Sequence, residues 1–380
     1  MDRTTRREES TREGSKLYMA LELGWSSWKL AFTTEAGEKP RLRTVEARNL
    51  AALEQEMDSA KQRLGLPSTA PVVSCYEAGR DGFWLDRWLK SRGVTNRVVD
   101  SSSIEVDRRA RHAKSDGVDA QKLLDLLVRA EQGQKGRWKV VRVPSPQEED
   151  ARQLHRELEA LKGERTRHSN RMRGLLASQG INLEVGPQFR EQLKQVRLWD
   201  GSPLGPGLQQ RLEREWARLE LLAEQIAELE KQRRELLKSS EEAAVEKVRQ
   251  LLLLKAVGEN SSWVFVYEFF SWRQFRNCRE VGSLSGLAPT PYQSGDSNHE
   301  QGISRAGNGR IRSMAIEIAW LWLRYQPRSQ LSLWFKERFG AGGRRSRRIG
   351  IVALARRLLV ALWRYLETGV IPEGAVLKSS

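Results

Sequence analysis

Ser294 is followed by Gly295 in the stretch Pro289-Thr-Pro-Tyr-Gln-Ser294-Gly-Asp-Ser-Asn-His299-Glu-Gln-Gly-Ile-Ser304-Arg305-Ala-Gly-Asn308-Gly-Arg310-Ile-Arg312. A serine hydroxyl can attack a phosphodiester when a base takes its proton and the charge of the phosphate is offset. His299 lies in the same turn-rich loop and is one candidate for that base. Arg305, Arg310 and Arg312 supply guanidinium forks that fit phosphate oxygens in pairs. Asn308, flanked by Gly307 and Gly309, suits a tight turn close to a backbone. Ser297 and Ser304 carry the same evidence as Ser294, and Ser294-Gly295 also fits an ordinary turn or helix cap.

A second set of reactive groups lies far upstream, and all of them are carboxylates: Glu22, Glu77, Asp116 and Asp119. Glu22 interrupts an apolar strand pattern, where a charge is costly unless it is paired or holds a metal. Glu77 ends a second apolar run. Asp116 and Asp119 are three apart and share one face of the helix they open; two acids there also suit the helix dipole. Mg²⁺ prefers oxygen ligands, and two such ions can clamp the attacking and leaving oxygens of an in-line phosphoryl displacement. A nucleophilic serine and a carboxylate set on one basic chain point to DNA strand breakage and rejoining.

The elements that must position these groups change character along the chain. Residues 1–15 are polar and predicted to be disordered. Residues 16–147 follow an α/β order. The pattern is strand-like from Leu17 to Phe32, with Ala36–Pro40 as a turn and a strand around Leu42–Ala47. Helices are expected at Asn49–Leu64, Phe83–Arg92 and Ser115–Ala130, and strands at Pro71–Glu77 and Asn96–Asp100. Residues 148–245 carry two long amphipathic helices. The first presents Leu154, Leu158, Leu161, His168, Met172 and Leu175, with Arg165 interrupting. The second presents Leu212, Trp216, Leu219, Ala223, Ile226 and Leu229. Two such helices make an antiparallel hairpin or an intermolecular coiled coil, and the small core of a lone hairpin favours dimerisation. Residues 246–380 are mainly helical. Leu251–Glu259 resembles the turn of a helix-hairpin-helix, whose N–H groups can bind phosphate. A basic run, Arg344, Arg345, Arg347 and Arg348, precedes a final helix at Ile349–Thr368.

Lys and Arg total 65 against 49 Asp and Glu, a net charge of +16 over 380 residues. That excess favours a polyanionic partner. Two cysteines and four histidines, with no C-x-x-C pair, exclude a zinc-finger framework and argue against disulfides. The charged start has no signal core, no apolar run is long enough to span a bilayer, and a cytoplasmic, nucleoid-associated protein is expected. Most of the thirteen tryptophans are expected in the core, a few as platforms for bases.

Taken together, Tyr76-Glu77-Ala-Gly79, Lys114-Ser-Asp116-Gly-Val-Asp119-Ala, Gly286-Leu-Ala-Pro289, Ser294-Gly295 and Gly302-Ile-Ser-Arg-Ala-Gly307-Asn308 resemble the IS110-family transposases, bridge-RNA-guided DNA recombinases. The resemblance spans about residues 17–370. It implies an N-terminal RuvC-like (RNase H-like) domain with a DEDD acid set, coiled-coil helices, and a C-terminal transposase domain with a catalytic serine. Glu77, Asp116 and Asp119 match the second to fourth acids, and Ser294 the serine that forms a 5′-phosphoserine link. The first acid is usually Asp and here is Glu22, whose extra methylene moves the carboxylate by more than about one ångström. The resemblance further implies Mg²⁺, donor and target DNA, a structured non-coding bridge RNA, and a homo-oligomer, dimer to tetramer, that brings the acids and Ser294 together from different subunits. A metal nuclease of Holliday-junction-resolvase type with a structural Ser294, and a non-catalytic nucleic-acid-binding protein, are the rival readings.

Overall fold

The computed structural model describes residues 15–79, 82–100, 116–134, 138–294 and 297–378. The expected polar tail lies outside them but for Ser15. The chain divides into two compact units, Met1–Pro144 and Ser145–Ser380.

The first unit is built on a five-stranded mixed sheet in the order β3-β2-β1-β4-β5. Its strands are β1 Leu17–Leu23, β2 Ser27–Thr33, β3 Arg41–Glu46, β4 Val72–Glu77 and β5 Thr95–Val99. β1–β2 and β2–β3 are antiparallel; β1–β4 and β4–β5 are parallel. The run read as strand-like from Leu17 to Phe32 is therefore two strands. It breaks at Gly24, where a Cβ would stand 2.4 Å from the Ser27 carbonyl oxygen, so the chain can turn that tightly only without a side chain.

Central strands covered on both faces need apolar residues throughout. On one face Leu17, Met19, Leu21, Trp28, Leu30 and Phe32 pack against α1 (Leu50–Arg63) and α2 (Trp84–Ser91) through Leu53, Met57, Leu85 and Leu89. Asn49 caps α1 by accepting from the Ala52 N–H. On the other face the small residues Ala20 and Ala31, with Val73, Cys75 and Val99, receive α3 (Asp116–Glu131) through Ala120, Leu123, Leu124 and Leu127. That i, i+3, i+4 stripe is the reason α3 lies flat on the sheet.

The second unit starts with a capping box at Ser145 leading α4 (Pro146–Asp150). Two long helices follow, α5 (Gln153–Ala177) and α7 (Pro206–Ser239), separated by α6 (Phe189–Gln195). α5 and α7 pack antiparallel within one chain: Leu158 meets Ile226 and Leu229, and Met172 and Leu176 share a cluster with Leu212 and Leu219. The segment between them, expected to be loop, contributes Phe189, Leu193 and Leu204 to that core, so the hairpin holds more apolar mass than its two seams suggest. The rest is helical: α8 (Ala243–Leu252), α9 (Glu259–Phe265), a π-helical turn Val266–Phe270, α10 (Cys278–Leu284), α11 (Gly309–Tyr325), α12 (Gln330–Phe339) and α13 (Arg344–Thr368). α13 runs through the middle of the core, with Leu354, Leu358 and Leu362 buried alongside Ile311, Ile318 and Trp322. It begins at Arg344, not at Ile349: the basic run forms its first turn. Between α10 and α11 lies a two-stranded antiparallel ribbon, β6 (Pro289–Ser294) and β7 (Ser297–Ile303). Among the described residues no helix is long and apolar enough to cross a membrane.

Candidate active site

In the first unit the predicted acids gather at one edge of the sheet. The parallel β1–β4 register pairs Leu21 with Tyr76, so Glu22 and Glu77 each sit one residue further on neighbouring strands. Glu22 is half-buried and Glu77 exposed. Lys29 stands opposite Glu22 on β2 and donates to Thr44 Oγ1 at 2.9 Å.

The direction of α3 decides where the other two acids fall. Its last residue, Glu131, accepts from Arg97 Nε at 3.0 Å and lies 3.8 Å from Lys16 Nζ, ahead of β1. In mid-helix the Leu123 carbonyl is 3.6 Å from Cys75 Sγ. α3 thus runs back against β1 and β4, and its first turn reaches their C-terminal edge. From Leu123 to Asp119 the helix rises about 6 Å, and from Cys75 to Glu77 the strand advances about 6.6 Å. Asp119 is therefore level with Glu77 and Glu22. It is partly buried and 3.8 Å from Lys122. Asp116 opens α3, but its side chain lies outside the described residues. Ligands of open α/β sheets bind outside the carboxyl ends of the strands, and carboxylate oxygens are the donors a hard divalent cation takes. Among the described residues no three Asp, Glu, His or Cys side chains form a metal-holding group, Glu22, Glu77 and Asp119 included.

In the second unit Ser294 is the last residue of β6 and pairs with Ser297, the first of β7. His299 pairs with Tyr292 on the same ribbon. The stretch read as a loop is therefore a strand pair, favoured by Thr290 and Tyr292. The side chains of residues 291–301 lie outside the described residues.

The root of the ribbon is a clasp between two glycine motifs. Ser304 N–H donates to the Ala288 carbonyl (2.9 Å), Arg305 N–H to that of Gly286 (3.2 Å) and Asn308 N–H to that of Leu284 (3.1 Å). Gly286 has φ +70°, and a Cβ there would meet the Ala306 carbonyl oxygen at 2.1 Å; Gly307 has φ +84°, and a Cβ there would meet the Leu284 carbonyl oxygen at 2.1 Å. Each glycine thus lets the other strand's backbone in. Arg305 takes a left-handed φ of 55°, and its carbonyl accepts from Arg312 Nη1 at 2.9 Å. Asn308 caps α11, accepting from the Arg310 and Ile311 N–H groups. Arg310 pairs with Glu159 at 2.8 Å. Arg344, Arg345, Arg347 and Arg348 are exposed in the first turn of α13, where the helix dipole opposes positive charge; an anion there would relieve it.

A buried polar cluster behind Asn308 is absent from the sequence reading. Glu268, in the π-helical turn, is 1% exposed. Its carboxylate accepts from Arg156 Nε (2.6 Å) and Nη2 (2.9 Å) and lies 2.9 Å from His155 Nε2. Asn308 Nδ2 donates to Glu268 Oε2 at 3.3 Å. Burial alone would raise the Glu268 carboxyl, but the hydrogen bonds and charge of His155 and Arg156 outweigh it and hold it well below the usual carboxylate range. Burial pushes His155 below the ordinary imidazole value, so at neutral pH its proton sits on Nε2, facing the carboxylate. Its Nδ1 is buried with no hydrogen-bond partner among the described residues. The available signal was a lone acid in the run Trp263-Val-Phe-Val-Tyr-Glu-Phe-Phe, since a charge in such a run must find partners. A π turn is itself a feature enriched at functional sites.

The model of the transposase IS116/IS110/IS902 family matches residues 248–332, a span that holds Glu268, both clasp glycines, Ser294 and Asn308. A putative transposase, y4rJ, of Sinorhizobium fredii is 40% identical over 376 residues, covering 96% of this chain and 95% of the relative. The transposase for insertion sequence element IS1328 of Yersinia enterocolitica is 25% identical over 312 residues, 80% of this chain and 87% of the relative. That for IS1111A of Coxiella burnetii is 26% identical over 283 residues, 74% and 73%. The chain belongs to the IS116/IS110/IS902 family of transposases. It is an insertion-sequence transposase, an enzyme of DNA recombination.

Proposed function

We propose that this transposase cuts and rejoins DNA through a covalent link to Ser294. The observation that carries the reading is the clasp. Within the family-matched region, two glycines that admit no Cβ root a strand ending at Ser294 beside the capped, arginine-bearing start of α11. In the first step Ser294 Oγ bonds to phosphorus as the bond to the 3′ oxygen breaks, and that oxygen leaves with a proton. In the second, a 3′ hydroxyl of another strand attacks the same phosphorus and returns the electron pair and a proton to Ser294. The number of phosphodiester bonds is conserved, so no external energy source is required. Arg305, Arg310 and Arg312 offset phosphate charge. His299, or an acid of the carboxylate edge, takes the serine proton.

Glu22, Glu77, Asp116 and Asp119 would hold Mg²⁺, which when bound offsets charge on the attacking and leaving oxygens. A mixed sheet with carboxylates at the ends of its parallel strands supports the RuvC-like reading of residues 16–147. The α5–α7 hairpin fits the coiled-coil segment, residues 148–245, and residues 246–380 the transposase domain. The charge of +16 suits a protein that holds DNA and a structured bridge RNA together, assembled as a homo-oligomer in the cytoplasm.

Covalent trapping tests the proposal. The protein is incubated with Mg²⁺, its flanking RNA and donor-end DNA, denatured, and searched for a protein–DNA adduct. An adduct at Ser294 that is lost in Ser294→Ala is expected. Cleaved DNA without an adduct would favour the resolvase-type nuclease.

A further inference from the structure

Beside the root of the serine strand the second unit has a groove of about 950 Å³. Ala288 and Pro289 form part of its wall. Its floor is apolar, with Val360 of α13 and Val370 and Ile371 of the segment that follows; Val370 is 68% exposed and Ile371 40%. Four guanidinium groups surround this floor: Arg279 from α10 and Arg356, Arg357 and Arg364 from α13. Among the described residues none of the four makes an ion pair. The stem of Arg356 crosses Gly282, where a Cβ would stand 3.2 Å from Arg356 Cδ, and Arg357 stacks over Trp334 at 4.0 Å. Among the described residues Glu373 is the one carboxylate in the lining.

Apolar floor and cationic rim together select the ligand. A folded acidic protein would use the rim and leave the floor wet, and a DNA duplex would offer phosphates but keep its base faces stacked. An unpaired polynucleotide offers both, phosphates to arginine and base faces to apolar surface. Location selects the strand. Pro289 and Ser294 are five residues apart on β6, about 17 Å of strand; a DNA strand advances about 3.4 Å per nucleotide when stacked in a duplex, and further when unpaired. A strand held at Ser294 therefore comes level with the groove within about five nucleotides. We propose that the groove binds single-stranded DNA, the unpaired stretch flanking the phosphate at Ser294. The identity of the strand rests on the serine reading above; the binding itself does not.

The test is fluorescence anisotropy of the full-length protein with a labelled twelve-nucleotide oligodeoxythymidine, followed across salt. Arg279→Ala/Arg364→Ala, both exposed, should weaken binding about tenfold and reduce the salt slope by about 1.4, the value for two lost single-strand phosphate contacts. Val370→Ser/Ile371→Ser should weaken it several-fold with the slope unchanged, and a twelve-base-pair duplex should change less than twofold with either variant. Unchanged oligodeoxythymidine binding in both double variants overturns the proposal, as does an equal loss for the duplex. A loss confined to oligouridine makes this an RNA site and overturns it too. Ser294→Ala should bind normally here, so failure of the serine chemistry appears only in the trapping assay.

Discussion

The carboxylate edge and the serine strand are held in opposite ways. Glu22, Glu77 and Asp119 stand on a five-stranded sheet and on a helix bedded on its small residues, so their backbone positions are fixed many times over by ladder bonds and core. Ser294 ends a ribbon that, among the described residues, pairs only with its own return strand, and two-stranded ribbons are marginal by themselves. Its position depends on a few backbone contacts at the root. On the proposed reading, a carboxylate set that holds cations needs fixed spacing, whereas a nucleophile has only to be delivered to one phosphorus. The two regions should therefore fail differently.

The largest effect is chemical. Ser294→Ala should remove the covalent adduct below detection at every Mg²⁺ concentration, with Tm unchanged. Glu77→Gln removes one of the proposed Mg²⁺ donors. Loss of a group that merely supports a metal ligand costs about 10–100-fold in affinity, so this variant should raise the half-saturating Mg²⁺ by at least that much and recover adduct when Mg²⁺ is raised. Recovery of Ser294→Ala through an adduct at Ser297 or Ser304 would move the nucleophile.

Next is the clasp. Gly307→Ala puts a Cβ against the Leu284 carbonyl and a left-handed φ on alanine. The strain alone is about 1–3 kcal/mol, and in a unit of this size each kcal/mol lowers Tm by about 2–4 °C. Adduct formation should fall further than Tm suggests, since the ribbon is re-aimed. Gly37 also has a left-handed φ, +83°, but open space around it. Gly37→Ala in the first unit should cost only the conformational part, about 1–2 kcal/mol, and leave adduct yield intact. Equal losses in both would mean that backbone strain, not the close approach, sets the behaviour of the ribbon.

The buried cluster behind Asn308 gives a smaller, pH-dependent effect. Glu268 has a folded value below its unfolded one, so its contribution is complete above the unfolded carboxylate value and is lost as pH falls. His155 is also depressed. Below about pH 6.5 the unfolded chain binds a proton that the folded one refuses, and stability again falls with pH. The Tm of the second unit should therefore begin to drop on acidification near pH 6.5. His155→Gln should remove the drop between about pH 5 and 6.5 and keep the part below it. A variant with the wild-type profile would assign the upper drop to another group.

How much of this was legible beforehand follows from the period of each signal. The bounds of α1, α2, α3, β4 and β5 are set by local signals and fall within a residue or two of those expected, whereas the break between β1 and β2 and the start of α13, five residues before Ile349, do not. The positions of Glu22 and Glu77 near strand ends were legible because carboxylates stand out against apolar strands. The ribbon was not, because Gly, Ser and Asn in its sequence read as turn when the pairing that makes it a strand is not yet known. The Glu268 cluster was not, because its partners lie more than a hundred residues away.

The seam of α7 shows the same limit, and the weakest prediction tests it. Hydrophobicity places Leu212, Trp216, Leu219, Ala223, Ile226 and Leu229 inward. The buried positions are Leu212, Glu215, Leu219, Leu222, Ile226, Leu229 and Arg233, an unbroken alternation of three and four. Two members are charged, so the repeat is hidden from an apolar count. Glu215 is neutralised by His168, Arg171 and Arg218. Arg233 stacks over Trp263 at 5.2 Å, and burial lowers its guanidinium to about 10. The buried stripe shares Leu212, Leu219, Ile226 and Leu229 with the apolar one but takes Glu215 in place of Trp216 and Leu222 in place of Ala223, which is exposed. Leu222→Ala should then cost about 2–3 kcal/mol, toward the low end for a buried leucine. Ala223→Glu, on the outer face, should change stability by less than about 0.5 kcal/mol. The reverse order in urea unfolding would restore the apolar register, and neither variant should alter adduct formation per folded molecule, since α7 carries none of the reacting groups.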